Sequence, residues 1–140
     1  MQGAVVPAPP TASASVTVAM VTKTVDYIPT IVRYTQLVTA PQNLTESTSV
    51  VTIQVSGRYR IAGSVMFSAI SASFLDFAVQ KNGANTLITN YFSNGNNDGS
   101  ESLAYVEGVL DLLAGDTINM YAGPRLQALF QGGQFSVNMV

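Results

Sequence analysis

Gly57-Arg58-Tyr59-Arg60-Ile61-Ala62-Gly63-Ser64-Val65-Met66-Phe67 is the stretch that decides the fold. Tyr59, Ile61, Gly63, Val65 and Phe67 share one side, and Arg58, Arg60 and Ser64 share the other. That period of two is the mark of a half-buried strand. Upstream, Ser56-Gly57 turns the chain, and Val51, Ile53 and Val55 alternate with Thr52 and Gln54 in a preceding strand. Downstream, Leu75, Phe77 and Val79 run into Lys81-Asn82-Gly83. Asn-Gly suits a two-residue hairpin turn, because both positions need positive φ. Leu87 to Phe92 is then the return strand.

The pattern continues to both ends. Leu103 to Leu113 is ambiguous: Leu103, Val106, Leu110 and Leu113 fit helical spacing, while Val106, Gly108, Leu110 and Leu112 fit a strand. Gly108 in mid-segment and the surrounding strands favour the strand. Ala114-Gly115-Asp116 reads as a turn, with the Asp116 side chain capping local N–H groups. Ile118 and Met120 face one way in the next strand, which Gly123-Pro124 ends. Gln131-Gly132-Gly133 reads as the last turn, before Phe135, Val137 and Met139. Towards the N-terminus, Val16, Val18 and Met20 alternate from Ser15, Ile31 to Val38 is extended, and Pro41 to Ser47 reads as a loop. Eight to ten strands joined by turn residues predict an all-β, single-domain sandwich or jelly roll. Residues 15–140 form that domain. Residues 1–14 form an arm, with Pro7, Pro9 and Pro10 holding it extended; it is either a free tail or a segment that orders on a partner.

Composition limits function. The chain of 140 residues is one domain by length, and a domain this size buries roughly two-thirds of its unfolded surface without disulfides. Charged residues make up 10% of it, against about 25% in average usage. A surface so poor in charge is expected to be covered in part by other subunits. The net charge of −2 gives no attraction for nucleic acid or an anionic membrane. No run approaches the ~20 apolar residues of a spanning helix. The opening Met1-Gln2-Gly3-Ala4-Val5-Val6-Pro7 lacks the basic and long apolar regions of a signal peptide, so export by the usual route is not expected. Asn43-Leu44-Thr45 then matches the glycosylation triplet by accident.

The chemistry of catalysis is sparse. There is no His and no Cys, which removes the ordinary nucleophile–base pairs and thiolate metal sites. The carboxylates Asp26, Glu46, Asp76, Asp98, Glu101, Glu107, Asp111 and Asp116 are scattered. The chain reads as non-enzymatic, with no cofactor and no catalytic residue. Asn94 to Glu101 is rich in oxygen ligands but does not match an EF-hand loop. It is a solvated loop whose Asn94, Asn96, Asn97 and Asp98 are candidates for contact with a sugar or protein. Tyr91, Phe92, Tyr105 and Tyr121 are candidates for a buried subunit interface, where aromatics are enriched.

The order Gly57-Arg58-Tyr59, Lys81-Asn82-Gly83, Leu112-Leu113-Ala114-Gly115-Asp116 and Phe135 to Val140 resembles C1q-type globular heads and their tumour-necrosis-factor-like relatives, including bacterial and phage versions. The resemblance covers residues 48–140 well and 15–47 weakly. It implies a ten-strand jelly roll that assembles as a homotrimer. The collagen-like or coiled-coil stalk of many relatives is missing, and no Gly-x-y repeat occurs.

With the Pro/Ala arm, this points first to a structural virion protein: a trimeric decoration or cement protein, or a short spike, on a phage. Its partner would be a major capsid protein or other virion protein, held partly by Val5, Val6, Pro7, Pro9 and Pro10. The second reading is the receptor-binding tip of a tail fibre or spike that holds a host glycan or surface protein. The third is a secreted C1q-like ligand.

Overall fold

The computed structural model describes residues 13–19, 23–25, 30–69, 73–93, 102–124 and 128–140. They contain twelve strands and no helix: β1 (Ser15–Ala19), β2 (Lys23–Val25), β3 (Thr30–Ile31), β4 (Gln36–Gln42), β5 (Leu44–Ser47), β6 (Val50–Ile53), β7 (Gly57–Ala69), β8 (Ser73–Lys81), β9 (Ala84–Ser93), β10 (Ser102–Leu112), β11 (Thr117–Pro124) and β12 (Ala128–Met139). One sheet has the order β10-β7-β12-β1-β4, with β2 also on β12. The other has the order β5-β6-β11-β8-β9, with β3 also on β11. Every pairing is antiparallel. The sandwich expected from the alternation is the one that forms.

The decisive strand, β7, lies between β10 and β12. Its period of two drives Tyr59, Ile61, Val65 and Phe67 into the core, where Phe135 and Val137 of β12 and Val16 and Val18 of β1 join them. The second sheet supplies Val51, Ile53, Leu75, Phe77, Val79, Ile118 and Met120, all buried. Both inner faces are thus apolar, and closing them on each other removes that surface from water.

The turn chemistry works as read in two places. Asn82 and Gly83 have φ of 53° and 81° and join β8 to β9. Gly115, with φ of 97°, lets the chain reverse between β10 and β11. The ambiguous 103–113 segment is strand, paired with β7 from Ser102 to Leu112.

Four readings change. Gln131-Gly132-Gly133 is not a turn: it lies within β12, where pairing with β7 skips from Phe130 to Gly133 in a bulge. Pro41 to Ser47 is not a loop. Pro41 and Gln42 end β4, Asn43 bends the chain at φ 55°, and β5 follows. Ile31 to Val38 is not one strand: Val32 N still bonds Met120 O at 2.9 Å, and over residues 33–35 the chain passes from β3 in one sheet to β4 in the other. The described strands number twelve rather than eight to ten, because β2 and β3 are short segments of three and two residues.

A turn without a sequence signal joins β5 to β6: Thr48 and Ser49, at φ 52° and 67°. Ser49 is buried, and its hydroxyl and amide are tied to Tyr34 and Glu46. Local hydrogen bonding of this kind offsets the cost of a left-handed non-glycine residue.

Candidate assembly face

The outer face of the first sheet is set by the same alternation that fills the core. Ala104, Val106 and Leu112 of β10 point inward and are buried. Leu103, Tyr105, Glu107, Val109 and Asp111 therefore point out. Opposite them on β7 stand Met66, Ser64, Ala62, Arg60 and Arg58, in register. Beyond β7, Gln134 and Ser136 of β12 continue the rows of Ser64 and Ala62, and Thr17 of β1 stands opposite Ser136.

Three zones follow along this face. At one end Leu103 and Met66 are cross-strand partners, 56% and 39% exposed. Large apolar side chains paired in the open have water on the side away from the core. In the middle, small side chains leave a shallow hollow of about 70 Å³ lined by Ala62, Gly63, Ser64, Tyr105, Gln134 and Ser136. At the other end charges are paired within the subunit. Arg58 Nε lies 3.0 Å from Asp111 Oδ1, and Arg60 Nε lies 3.2 Å from Glu107 Oε1. The Tyr105 hydroxyl donates to the Glu107 carboxylate, and that bond to an anion, with a smaller contribution from desolvation, pushes the phenol above its usual range. Exposed pairs of this kind contribute little to folding. They do leave this end of the face neutral in sum.

The predicted interface residues separate. Tyr105 is a wall of the hollow. Tyr121 is half-buried on β11 of the other sheet, opposite Ala78, and alternates with the inward Met120 and Ala122. It therefore faces away from Tyr105, on the outer side of the other sheet. The backbones of Tyr91 and Phe92 belong to β9, opposite Leu75 and Phe74; their side chains lie outside the described residues. So do Asn94, Asn96, Asn97 and Asp98, and Val5, Val6, Pro7, Pro9 and Pro10 of the arm. The near end of the arm is described: Met139 N donates to Ala14 O at 2.9 Å, and Asn43 Nδ2 donates to Ser13 O at 2.5 Å.

Sequence reasoning missed Leu103, Met66 and Val109 as surface residues. The signal was present as the ambiguity of 103–113. A strand that is apolar on both sides matches helical spacing as well as alternation.

Asp116 does what a turn residue can do. Its carboxylate accepts from Leu113 N at 2.8 Å and from Asn82 Nδ2 at 3.0 Å, and Lys81 Nζ stands 3.8 Å away. Among the described residues no group of three or more His, Cys, Asp or Glu could hold a metal ion, and no helix is long and apolar enough to cross a membrane.

No family model matches the sequence, and no curated protein matches it. Solved structures do. The chain is similar to crystal structures of murine APRIL: at pH 8.0 with a TM-score of 0.66 and 16% identity, and at pH 5.0 with 0.65 and 15%. Each alignment covers 91% of this chain and 99% of the other. Coverage that complete at identity that low is a likeness of fold, and the fold is the jelly-roll sandwich of tumour-necrosis-factor-like proteins.

Proposed function

We propose that the chain is a non-catalytic assembly module that forms a homotrimer through the outer face of its first sheet and sits on a virion surface as a phage decoration or cement protein, or a short spike. The observation that carries the assembly reading is the Leu103–Met66 pair, exposed beside a hollow walled by Tyr105. A large side chain of a second copy would fill the hollow, and the apolar end would be withdrawn from water. If the apolar end of one copy meets the hollow of the next without reciprocation, the contact is heterologous, and a closed ring satisfies it in every copy. The charge-poor composition supports the same reading.

The virion placement is supported by the likeness of the turn order to phage versions of the fold and by the Pro/Ala arm, residues 1–14, which would act as a strap. The fold by itself is equally compatible with a secreted C1q-like ligand, and an exposed loop at 94–101 would suit a receptor-binding tip. Light scattering of the purified chain at micromolar concentration should give three times the 14.8 kDa chain mass. A monomer sinks the assembly reading. Saturable binding to purified phage shells lacking the protein, without binding to host cells, is the outcome expected for decoration; the reverse outcome moves the protein to the fibre tip.

A further inference from the structure

The other edge of the first sheet is unfinished. β4 pairs with β1 and with no other described strand. Six of its seven residues are exposed, so neither of its faces is covered. Leu37 and Val38 are 45% and 54% exposed, and no residue from Gln36 to Gln42 is charged. Sheet edges are ordinarily blunted by charge, proline or a bulge. Pro41 and the register shifts between Ser15 and Val18 blunt this one only in part. Against it opens a cleft of about 310 Å³, lined by Val18, Tyr34, Thr35, Gln36, Leu37 and Glu46, between β1 and β4 on one side and β5 on the other.

The chain carries a segment suited to this edge. Residues 1–12 precede Ser13, whose carbonyl is held by Asn43, the residue just past β4. The arm therefore leaves the domain at the Gln42 end of the same edge. Twelve extended residues span roughly 40 Å, and the seven residues of β4 span roughly 23 Å. Residues 1–22 carry no charged side chain, like β4 itself. Ala4-Val5-Val6 suits a strand, and Pro7, Pro9 and Pro10 favour extension and bar further pairing. To reach its own β4 the arm would have to double back across the turn at Asn43. The arm of a neighbouring copy meets no such reversal.

We propose that residues 3–7 of one copy add as a strand to the β4 edge of a second copy, with Val6 seated in the cleft on the Leu37 side and Val5 on the opposite face beside Val38. Main-chain hydrogen bonds would supply the affinity and the cleft the register, as in other strand additions. This gives the proposed strap a receptor on the neighbouring subunit. It goes beyond the trimer reading and stands whether or not the outer face closes a ring.

The chain has no Cys, so introduced thiols are unambiguous. A full-length Val5→Cys variant is mixed with a full-length Val38→Cys variant under mild oxidation. The expected result is a disulfide-linked pair, at least ten-fold more abundant than with Ile88→Cys, a similarly exposed position on β9. A yield no higher than that control overturns the proposal. So does a Val5→Cys/Val38→Cys chain that closes on itself and never links to another copy. As a second measurement, amide exchange of residues 36–39 should rise at least ten-fold in the full-length Val5→Asp/Val6→Asp variant, with β7 and β12 unchanged; equal exchange is also fatal. A monomer by light scattering that still cross-links when concentrated defeats the trimer reading alone. A trimer with no cross-link defeats this one alone.

Discussion

The hydroxyl of Ser49 holds both main-chain groups of Tyr34: it accepts from Tyr34 N at 2.7 Å and donates to Tyr34 O at 3.1 Å. Two left-handed residues, Thr48 and Ser49, deliver that hydroxyl to residues 33–35, where the chain passes from β3 in one sheet to β4 in the other. Tyr34 is thereby fixed with its ring stacked on Phe135, centroids 5.8 Å apart, and burial pushes its phenol far above the usual range. Ser49→Ala leaves a buried N–H and C=O without their partner. The expected cost is about 1–3 kcal/mol, read as a lower midpoint in urea with the slope unchanged. A loss within error of zero would mean that water replaces the hydroxyl.

Gly133 and Gly132 should respond very differently to alanine. A Cβ on Gly133 would collide with Ser64 O, which is backbone of the paired strand and cannot swing aside. Its φ of 152° adds strain. Gly132, at φ 73°, has nothing within 4 Å of the same atom. Gly132→Ala should therefore lose about 1–2 kcal/mol, the cost of a left-handed side chain. Gly133→Ala should lose about 4 kcal/mol or more, or fail to fold. Equal losses in thermal melts would show that the bulge between Phe130 and Gly133 relaxes.

The same pair shows where sequence stops being informative. Glycines that need positive φ read alike in a turn and in a bulge, so Gly132-Gly133 marked an irregularity without its type. The β7 alternation was legible because one face is buried from Tyr59 to Phe67, and Asn82-Gly83 was legible because its side chains and φ preferences are local. Thr48-Ser49 was not, since its conformation depends on Tyr34, distant in sequence. Pro41 looked like a loop because a proline inside a sheet is tolerated only at an edge, and whether β4 is an edge depends on strand order. On the candidate face, Tyr105 could be picked as an aromatic. Its separation from Tyr121 follows from membership of different sheets, which no single-strand pattern encodes.

Leu103→Lys tests the assembly face without touching the core. Leu103 is 56% exposed in the single chain, so its replacement should change folding by no more than about 0.5 kcal/mol. In the assembly it would bury an unpaired ammonium, and the trimer should dissociate at least ten-fold more readily by sedimentation. Ile88→Lys, with equal exposure on β9, is the comparison. Unaltered association of the Leu103 variant would place the interface elsewhere.

Asp116 gives the fold an acid-sensitive end. The bonds from Asn82 Nδ2 and Leu113 N, followed by the nearby Lys81 ammonium, hold its carboxyl below the usual carboxylate range. A group whose folded pKa lies below its unfolded value binds its proton more tightly when unfolded. Its stabilising contribution is therefore present above the unfolded pKa, about 3.9, and is lost as pH falls through the lower folded pKa. An amide in place of the carboxyl cannot ionise, so Asp116→Asn should lower Tm at pH 6 and the gap to wild type should close towards pH 2.5. A gap that is constant across that range would mean that the Asp116 carboxylate acts through shape and not through charge, and that the hydrogen bonds to Leu113 and Asn82 are as strong with a neutral acceptor.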